Sequence, residues 1–194
     1  MRDILKDLDI EVIGLKDTNL SLEAVEEIGN NPLENARIKA FEYHKHTNMA
    51  VFSCDTGLYI EGLESDKQPG VYVRRINGRE LTDEEMITYY SNIAKNLGGK
   101  VKAQYKNAIC LIVNDNETYE YDGESISSKK FILSKDIHQV RNEGFPLDSI
   151  SIDIKTKKYF VELDLDNDEE HIEINEEAYI NFFKNALKVN INKN

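Results

Sequence analysis

Residues 27–40 read EIGNNPLENARIKA, and this stretch carries a complete start signal for a helix. Asn31 is a preferred N-cap residue, Pro32 stands at the first helical position, and Glu34 follows three residues after the cap. The apolar residues that follow recur at the spacing of one helix face: Leu33, Ala36, Ala40 and Phe41. The stretch predicts a helix from about residue 32 to residue 46, with a carboxylate in its first turn.

The next segment predicts a strand that ends in a polar turn. Residues 50–54 (AVFSC) form a short apolar run, and Asp55, Thr56 and Gly57 follow directly. LYIEGL then alternates between apolar and polar residues like a second strand. The pattern predicts that Asp55 lies at the end of a strand.

Helix and strand signals continue through the middle of the chain. Thr82 and Glu85 form a second capping box, and the apolar stripe behind them predicts a helix that ends at Gly98 and Gly99. A hairpin turn is predicted at residues 114–116, and FIL, SISIDI and KYFVELDL are predicted as strands. This order of elements indicates an α/β protein.

Both ends of the chain also carry apolar patterns. Residues 4–8 have helical spacing and predict the end of an amphipathic helix, whereas residues 10–15 alternate and predict a short half-buried strand. Near the other end, Asn175 is the N-cap of a predicted helix of about residues 175–189. With 194 residues, 40% of them apolar, and no linker tract, residues 1–194 are expected to form a single domain that includes this extra helix.

The charge balance and the cysteines limit the partners and the compartment. With 24 basic and 36 acidic side chains the net charge is −12, which opposes broad contact with a nucleic-acid polymer. A nucleotide can still bind in one pocket that is locally positive or holds a metal ion. No apolar run approaches the roughly 18 residues of a membrane span, and the isolated Cys54 and Cys110 favour a reducing cytoplasm.

Several motifs follow one another in a recognisable order. EIGNNPLENARIKA contains Glu-x-Gly, then Glu-Asn-Ala and Lys-Ala; residues 55–75, DTGLYIEGLESDKQPGVYVRR, join an Asp-Thr-Gly-Leu motif to a Pro-Gly-Val-Tyr-x-x-Arg loop. LTDEEMITYY and YKNAICLIV come next, and GFPLDSISID and KKYFVEL follow more weakly. In these motifs, over roughly residues 10–165, the chain resembles the inosine triphosphate pyrophosphatase family, also called the Ham1 family.

The resemblance implies a fold and an activity. The implied fold is α/β, with a mixed twisted sheet and flanking helices around a central cleft, and it is often dimeric. The implied activity is hydrolysis of ITP, XTP or dITP to a monophosphate and pyrophosphate. In that reaction Asp55 would be the general base that orients the attacking water, and Thr56 would touch the substrate.

The chemistry of this cleavage is within reach of the residues present. Breaking the bond between the α- and β-phosphates needs a divalent cation, an activated water and cations around the polyphosphate. Mg²⁺ takes one or two carboxylates plus phosphate oxygens and waters, so Glu34 and Asp55 are sufficient ligands. Lys39 and Arg74 are candidate phosphate ligands. The segment from Phe145 to Asp148 is expected to read the six-keto edge of the purine.

Each candidate also has a plain structural explanation. Glu34 can cap its own helix, Asp55 can be a turn residue, and Lys39 and Arg74 can be solvated surface charges. Residues 164–175 resemble a calcium loop only superficially, because the required glycine and the final glutamate are missing. They are expected to form a solvated acidic turn.

Three departures from the family pattern leave a second function open. Family members open with a strand and a Thr-x-Asn-x-x-Lys loop that binds the triphosphate, and residues 1–20 contain no match to it. Cys54 stands where many members have the first of two aspartates, and the Ser-His-Arg motif near the end of typical members is absent. The alternative is a catalytically impaired member that keeps a nucleotide-binding or dimerisation role.

Overall fold

A computed structural model describes residues 1–18, 23–165 and 175–189 of the chain. The described helices are α1 (Arg2–Leu5), α2 (Pro32–Thr47), α3 (Asp83–Asn96), α4 (Phe160–Leu165) and α5 (Glu176–Leu187). The described strands are β1 (Val51–Ile60), β2 (Arg75–Ile76), β3 (Arg79–Glu80), β4 (Lys100–Asn114), β5 (Glu117–Tyr121), β6 (Phe131–Ser134) and β7 (Ser151–Asp153). These elements confirm the predicted α/β class. Of the predicted acidic turn, residues 166–174 lie outside the described residues.

Three helices begin where the capping residues predicted. The side chain of Asn31 accepts from a backbone amide of α2, Thr82 and Glu85 form both halves of a capping box at α3, and Asn175 caps α5. At its other end α2 stops at Asn48, which has a φ of 51° and so takes the left-handed conformation that asparagine tolerates. None of the described helices is long and apolar enough to cross a membrane.

The main sheet has the strand order β1-β4-β6-β7, and β5 also pairs with β4. The first part of β4 pairs with β6 and its last part pairs with β5, in both cases antiparallel. The turn between β4 and β5 falls at the predicted hairpin, where the Asn114 side chain accepts from the backbone of Asn116 at 3.0 Å. A small separate sheet joins β2 and β3.

The chain divides into two compact units. Unit 1 comprises the described parts of Met1–Thr56, Asn107–Ser127 and Ile174–Asn194, and unit 2 those of Gly57–Lys106 and Ser128–Glu173. Both β1 and β4 therefore contribute residues to each unit. The organisation of the chain as a single domain stays a prediction.

Unit 1 has an apolar core between α1, α5 and the strands β1 and β4. The ring of Phe52 meets that of Phe183 edge to face, with centroids 5.1 Å apart. The buried members of this core are Leu5, Leu8, Ile109, Leu111, Ile126, Tyr179, Phe183 and Ala186. Full burial of each large apolar side chain stabilises the fold by about 2 kcal/mol. This packing fixes the part of β1 that precedes Asp55.

Unit 2 packs α3 against β6 and the short turn before β7. Tyr90 is fully buried at the centre of this core, and its hydroxyl donates to the carbonyl oxygen of Val73 at 2.8 Å. Phe131 stacks on Tyr105 from the neighbouring strand, with centroids 5.4 Å apart. The hydrogen bond of Tyr90 ties the loop before Arg74 to the core of the unit.

The predicted strand at residues 10–15 is wrong. The structure has no regular secondary structure at residues 10–14, and a 3₁₀ turn follows at Leu15–Asp17. Side chains bind this backbone instead of a neighbouring strand: Arg2 donates to the carbonyl oxygen of Val12 at 3.0 Å, and Asp17 accepts from the amide of Gly14 at 2.9 Å. Alternating apolar residues are not sufficient for a strand when no described partner strand lies beside them.

The predicted strand in KYFVELDL is also wrong, because residues 160–165 form the helix α4. The carboxylate of Glu162 accepts from the backbone amide of Tyr159 at 2.7 Å, which stabilises a helical start. Val161 is buried on this helix, and the rings of Phe160 and Phe131 pack together with their centroids 5.3 Å apart. A short apolar run fits both a buried strand and a buried helix, and packing decides between them.

Candidate active site

The first turn of α2 holds Glu34 in a closed set of local hydrogen bonds. Its carboxylate accepts from the backbone amide of Asn30 at 2.8 Å and from the side-chain amide of Asn31 at 2.9 Å. The side-chain oxygen of Asn31 accepts in turn from the backbone amide of Glu34 at 2.9 Å. Glu34 therefore caps its own helix, as one of the two hypotheses from the sequence predicted. Each carboxylate oxygen retains a further lone pair, so the cap leaves Glu34 able to bind a second partner.

Asp55 lies within β1 and not at the end of a strand, so this part of the prediction is wrong. The strand continues because its backbone hydrogen bonds to β4 extend beyond Gly57. For example, the amide of Glu61 donates to the carbonyl oxygen of Lys102 at 2.9 Å. Gly57 also permits a close approach of the chain: a Cβ there would lie 2.9 Å from the carbonyl carbon of Gly70. A rigid strand, and not a turn, therefore carries the Asp55 carboxylate.

Lys39 joins two carboxylates in unit 1. Its ammonium lies 2.8 Å from Oδ1 of Asp55 and 2.8 Å from Oε1 of Glu27. The side chains of Lys39 and Asp55 are only 17% and 11% exposed, so solvent screens their contact weakly. Burial acts to lower the pKa of Lys39, but its hydrogen bonds to Asp55 and Glu27 outweigh that effect and raise the pKa. Lys39 is therefore a charged, bound residue and not a solvated surface lysine.

Asn35 completes the contacts of Asp55. Its Nδ2 donates to Oδ2 of Asp55 at 3.2 Å, and its Oδ1 accepts from the backbone amide of Gly29 at 2.8 Å. Lys39 and Asn35 thus bind different oxygens of one carboxylate. The sequence reading missed Asn35 and Glu27, although a buried asparagine on the apolar side of a helix is an available signal of an internal hydrogen bond.

The residue before Asp55 offers no charge to this cluster. Cys54 packs beside the apolar core of unit 1. Burial raises the pKa of its thiol to about 11, so the thiol is neutral near pH 7. A neutral thiol is a poor ligand for Mg²⁺, which prefers oxygen.

Thr56 makes its contacts away from the Asp55 cluster. Its hydroxyl donates to Oδ1 of Asn107 at 2.7 Å, and Asn107 donates to the carbonyl oxygen of Ile126 at 2.7 Å. Successive side chains of a strand point to opposite faces. The structure therefore does not bring Thr56 into the group formed by Lys39 and Asp55.

Arg74 belongs to unit 2, where a second ion pair holds it. Its Nη1 donates to the carbonyl oxygen of Leu81 at 3.1 Å and to Oδ1 of Asp83 at 2.7 Å. The hydrogen bond from Arg74 holds the pKa of Asp83 below its usual value. The other oxygen of Asp83 accepts from the backbone amide of Gly144 at 3.2 Å. Asp83 therefore links Arg74 to the chain just before Phe145.

Phe145 and Asp148 lie in one short turn of unit 2. The ring of Phe145 is 64% exposed, whereas the carboxylate of Asp148 accepts from Nδ2 of Asn142 at 3.0 Å. Burial, and after it the negative charge of Asp148, raises the pKa of Tyr105. The turn thus presents an open aromatic face beside a held carboxylate, a combination suited to a planar ring with polar edges.

The predicted site residues fall into two groups. Glu34, Lys39 and Asp55 lie in unit 1, where the contacts of α2 with β1 join the last two, while Arg74, Phe145 and Asp148 lie in unit 2. No set of three or more His, Cys, Asp or Glu residues among the described parts of the chain forms a metal cage. The donors available around Asp55 are carboxylate oxygens with free lone pairs. That donor set fits Mg²⁺, which uses few protein ligands.

A sequence profile of the Ham1 family matches residues 1–171. The chain therefore belongs to the Ham1 family, and the resemblance found in its motifs is confirmed.

Two relatives are dITP/XTP pyrophosphatases by name. One, from Coxiella burnetii, is 33% identical over 118 residues, which are 60% of this chain and 57% of that protein. The other, from Christiangramia forsetii, is 31% identical over 159 residues, which are 80% of this chain and 76% of that protein. The matched part thus spans little more than half the length of the first relative.

A solved structure supports the fold. The chain is similar to a HAM1 protein from Coxiella burnetii with a TM-score of 0.74 and 25% identity, over 95% of this chain and 91% of that one. The predicted α/β fold with a sheet and flanking helices is confirmed.

Proposed function

We propose that this protein is a nucleoside triphosphate pyrophosphatase that hydrolyses ITP, XTP or dITP to the monophosphate and pyrophosphate. One observation carries the proposal: β1 presents a carboxylate, Asp55, whose two oxygens are bound by Lys39 and Asn35 of the facing helix. Membership of the Ham1 family and relatives named dITP/XTP pyrophosphatase support the same activity.

Asp55 orients the attacking water and accepts its proton. A catalytic carboxylate has to stay in one place while the water turns toward the α-phosphorus, and two bound oxygens restrict its rotation. The water then attacks the α-phosphorus, and pyrophosphate leaves with the electrons of the broken P–O bond. Lys39 balances the charge of the carboxylate and is itself held by Glu27.

Glu34 and Asp55 are the residues proposed to hold Mg²⁺. Glu27, Lys39 and Asp55 together carry one more negative than positive charge, and Glu34 adds another, so this part of unit 1 attracts a cation. When bound, Mg²⁺ polarises the phosphate oxygens and offsets their charge.

The purine is proposed to bind at the turn of unit 2 that carries Phe145 and Asp148. The exposed ring of Phe145 offers a stacking surface, and Asp148 offers a fixed acceptor beside it. Arg74 is proposed to bind a phosphate through the guanidinium donors that Leu81 and Asp83 leave free. Thr56 is also proposed to contact the substrate, although its hydroxyl binds Asn107 and lies outside the group formed by Lys39 and Asp55.

The remaining features of the proposal concern assembly and location. We propose a homodimer in the cytoplasm that takes a purine nucleoside triphosphate as its partner and binds neither a nucleic-acid polymer nor a membrane. The net charge of −12 supports the exclusion of polymers. Light scattering coupled to size exclusion tests the dimer: a mass near 22.3 kDa, that of one chain, would count against it.

The activity is tested with ITP, XTP, dITP, ATP and GTP in the presence of Mg²⁺, by pyrophosphate release. We expect turnover of the first three, and the variant Asp55→Asn to lose at least about a thousandfold in kcat, because it keeps the shape but not the proton acceptor. Asp115→Asn is the matched control, since that side chain is 94% exposed. Equal kcat for the parent and Asp55→Asn would remove Asp55 from the mechanism.

A second candidate function is nucleotide binding without turnover. The neutral thiol of Cys54, at a position where many family members have an aspartate, favours it. Equilibrium dialysis separates the two functions: bound ITP without pyrophosphate release from any of the five nucleotides supports this candidate and contradicts the enzyme.

A further inference from the structure

Asn35 is a buried polar residue that takes no part in the proposed chemical steps. It is 1% exposed, and it makes one hydrogen bond to the chain before α2 and one to β1. A side chain this deeply buried does not reach a substrate. Any influence on a reaction has to pass through Gly29 or Asp55.

The two partners of Asn35 fix the orientation of its amide. The backbone N–H of Gly29 only donates, and an ionised Asp55 carboxylate only accepts. The amide satisfies both partners in one orientation alone, with Oδ1 toward Gly29 and Nδ2 toward Asp55. A carboxylate in place of Asn35 would serve Gly29 but not Asp55.

Gly29 packs tightly against this amide. A Cβ at Gly29 would lie 2.6 Å from Oδ1 of Asn35 and 2.7 Å from Cβ of Glu34, both inside van der Waals contact. The chain before α2 therefore comes close enough to donate this hydrogen bond to Asn35 only because residue 29 is glycine. Gly29, Asn35 and Asp55 form one connected contact from that chain to the strand.

The two bonds at Asp55 restrict the side-chain torsion that is normally the softest. The terminal torsion of an aspartate has a broad preference and is not held by its own chemistry. Lys39 binds Oδ1 and Asn35 binds Oδ2, so together they define the plane of the carboxylate. With Lys39 alone, the carboxylate would pivot about one bound oxygen.

We propose that Asn35 is a positioning residue, which holds the plane of the Asp55 carboxylate in the orientation that directs the attacking water. The Asn35 amide is itself held in place by its hydrogen bond from Gly29. The inference rests on the proposed function, because the orientation of the Asp55 carboxylate matters for catalysis only if Asp55 orients the attacking water. It predicts an effect on kcat, without an effect on substrate binding.

The main test is Asn35→Asp, which keeps an acceptor for Gly29 and places an oxygen against Oδ2 of Asp55. We expect kcat for ITP to fall about a hundredfold, as for other misplaced catalytic groups, while KM stays within about threefold. Asn92→Asp is the matched control, since Asn92 is exposed on α3. A kcat for Asn35→Asp within twofold of the parent would overturn the proposal, as would an equal rise in KM.

A second variant reaches the same amide from its other side. Gly29→Ala pushes its Cβ against Oδ1 of Asn35, and we expect kcat to fall by at least about tenfold with KM unchanged. A merely structural role predicts a lower melting temperature for both variants and no loss of kcat in the fraction that stays folded. Unchanged kcat in the folded protein would contradict positioning.

A third measurement needs no turnover. The side-chain amide protons of Asn35 are followed by NMR in the parent and in Asp55→Ala, and we expect an upfield shift when the acceptor is removed. Identical shifts would overturn the contact. If the parent hydrolyses none of the nucleotides, the proposed function fails, and this measurement still decides whether Asn35 binds Asp55. If the parent is active and Asn35→Asp matches it, the positioning inference alone fails.

Discussion

Units 1 and 2 each contain an ion pair of nearly the same length in very different surroundings. In unit 1, Lys39 and Asp55 are 2.8 Å apart and 17% and 11% exposed; in unit 2, Arg74 and Asp83 are 2.7 Å apart and 34% and 37% exposed. Water and salt screen the second pair much more than the first. Bond length alone therefore does not rank the two pairs.

The difference in burial suggests different tasks for the two units. A weakly screened cluster on a strand and a helix keeps a carboxylate in one place, which is what proton transfer requires. The pair in unit 2 holds a turn in shape while the neighbouring Phe145 ring stays 64% exposed and open to a ligand. We therefore propose that the residues of unit 1 carry out the chemistry and that those of unit 2 recognise the base.

Among the variants that compare the two units, the largest effect on stability is expected from Lys39→Met, which leaves Glu27 and Asp55 without their shared cation. Breaking this buried pair should lower the free energy of unfolding by about 2 kcal/mol and the melting temperature by about 6 °C. We also expect kcat for ITP to fall about a hundredfold. Because the folded-state pKa of Lys39 is raised, its stabilisation is fully present below the ordinary value of 10.5 and is lost only as the pH rises above it.

Lys45→Met is the matched control on the same helix. Lys45 is 51% exposed and pairs with Glu42, so we expect the free energy of unfolding to change by less than about 0.5 kcal/mol. Arg74→Met completes the comparison, with an expected loss below about 1 kcal/mol. Thermal melts that show equal losses for Lys39→Met and Arg74→Met would break the distinction based on burial.

An intermediate effect is expected from Phe145→Ala, which tests recognition. Removing a stacking ring should raise KM for ITP about tenfold with little change in kcat. The melting temperature should barely move, because the ring is 64% exposed. Phe41→Ala is the matched control, since Phe41 is a similarly exposed ring, at 53%, on α2. A loss of kcat at unchanged KM would place Phe145 in the chemistry instead.

The smallest effect is expected from Glu120→Gln, at a third ion pair. Arg37 holds Glu120 through two contacts of 2.5 and 2.8 Å, and this hydrogen bonding keeps the pKa of Glu120 below its usual 4.5. The pair therefore stabilises the fold above pH 4.5, and its contribution is lost as the pH falls through the folded-state pKa. By denaturant titration, we expect Glu120→Gln to lower the free energy of unfolding by about 0.5 kcal/mol at pH 7 and to match the parent at pH 2. A larger difference at low pH would reverse the sign of this linkage.

Local signals account for the part of the fold that the sequence predicted. The start of α2 follows from Asn31, Pro32 and Glu34, which lie side by side in the chain, and the caps at Thr82 and Asn175 are equally local. The two wrong strands lie where the apolar pattern alone was ambiguous. There, the bonds of Asp17 to Gly14 and of Glu162 to Tyr159, together with packing, favoured the observed structure.

The candidate site was predicted as a set of residues but not as a set of contacts. Motifs identified Lys39 and Asp55, and nothing in the sequence indicated that Lys39 binds Asp55 directly or that Asn35 binds the other oxygen. These contacts join residues 16 and 20 positions apart on a helix and a strand. Only the packing of α2 beside β1 creates them, and local propensity does not encode that packing.

The most direct test of the central claim is single-turnover hydrolysis of ITP with Mg²⁺ in ¹⁸O-labelled water, followed by mass spectrometry of both products. If Asp55 directs water to the α-phosphorus, one ¹⁸O enters the inosine monophosphate and none enters the pyrophosphate. Asp55→Asn should form no labelled monophosphate on the time scale of the parent. Label in the pyrophosphate, or labelled monophosphate formed at the parental rate by Asp55→Asn, would contradict the account.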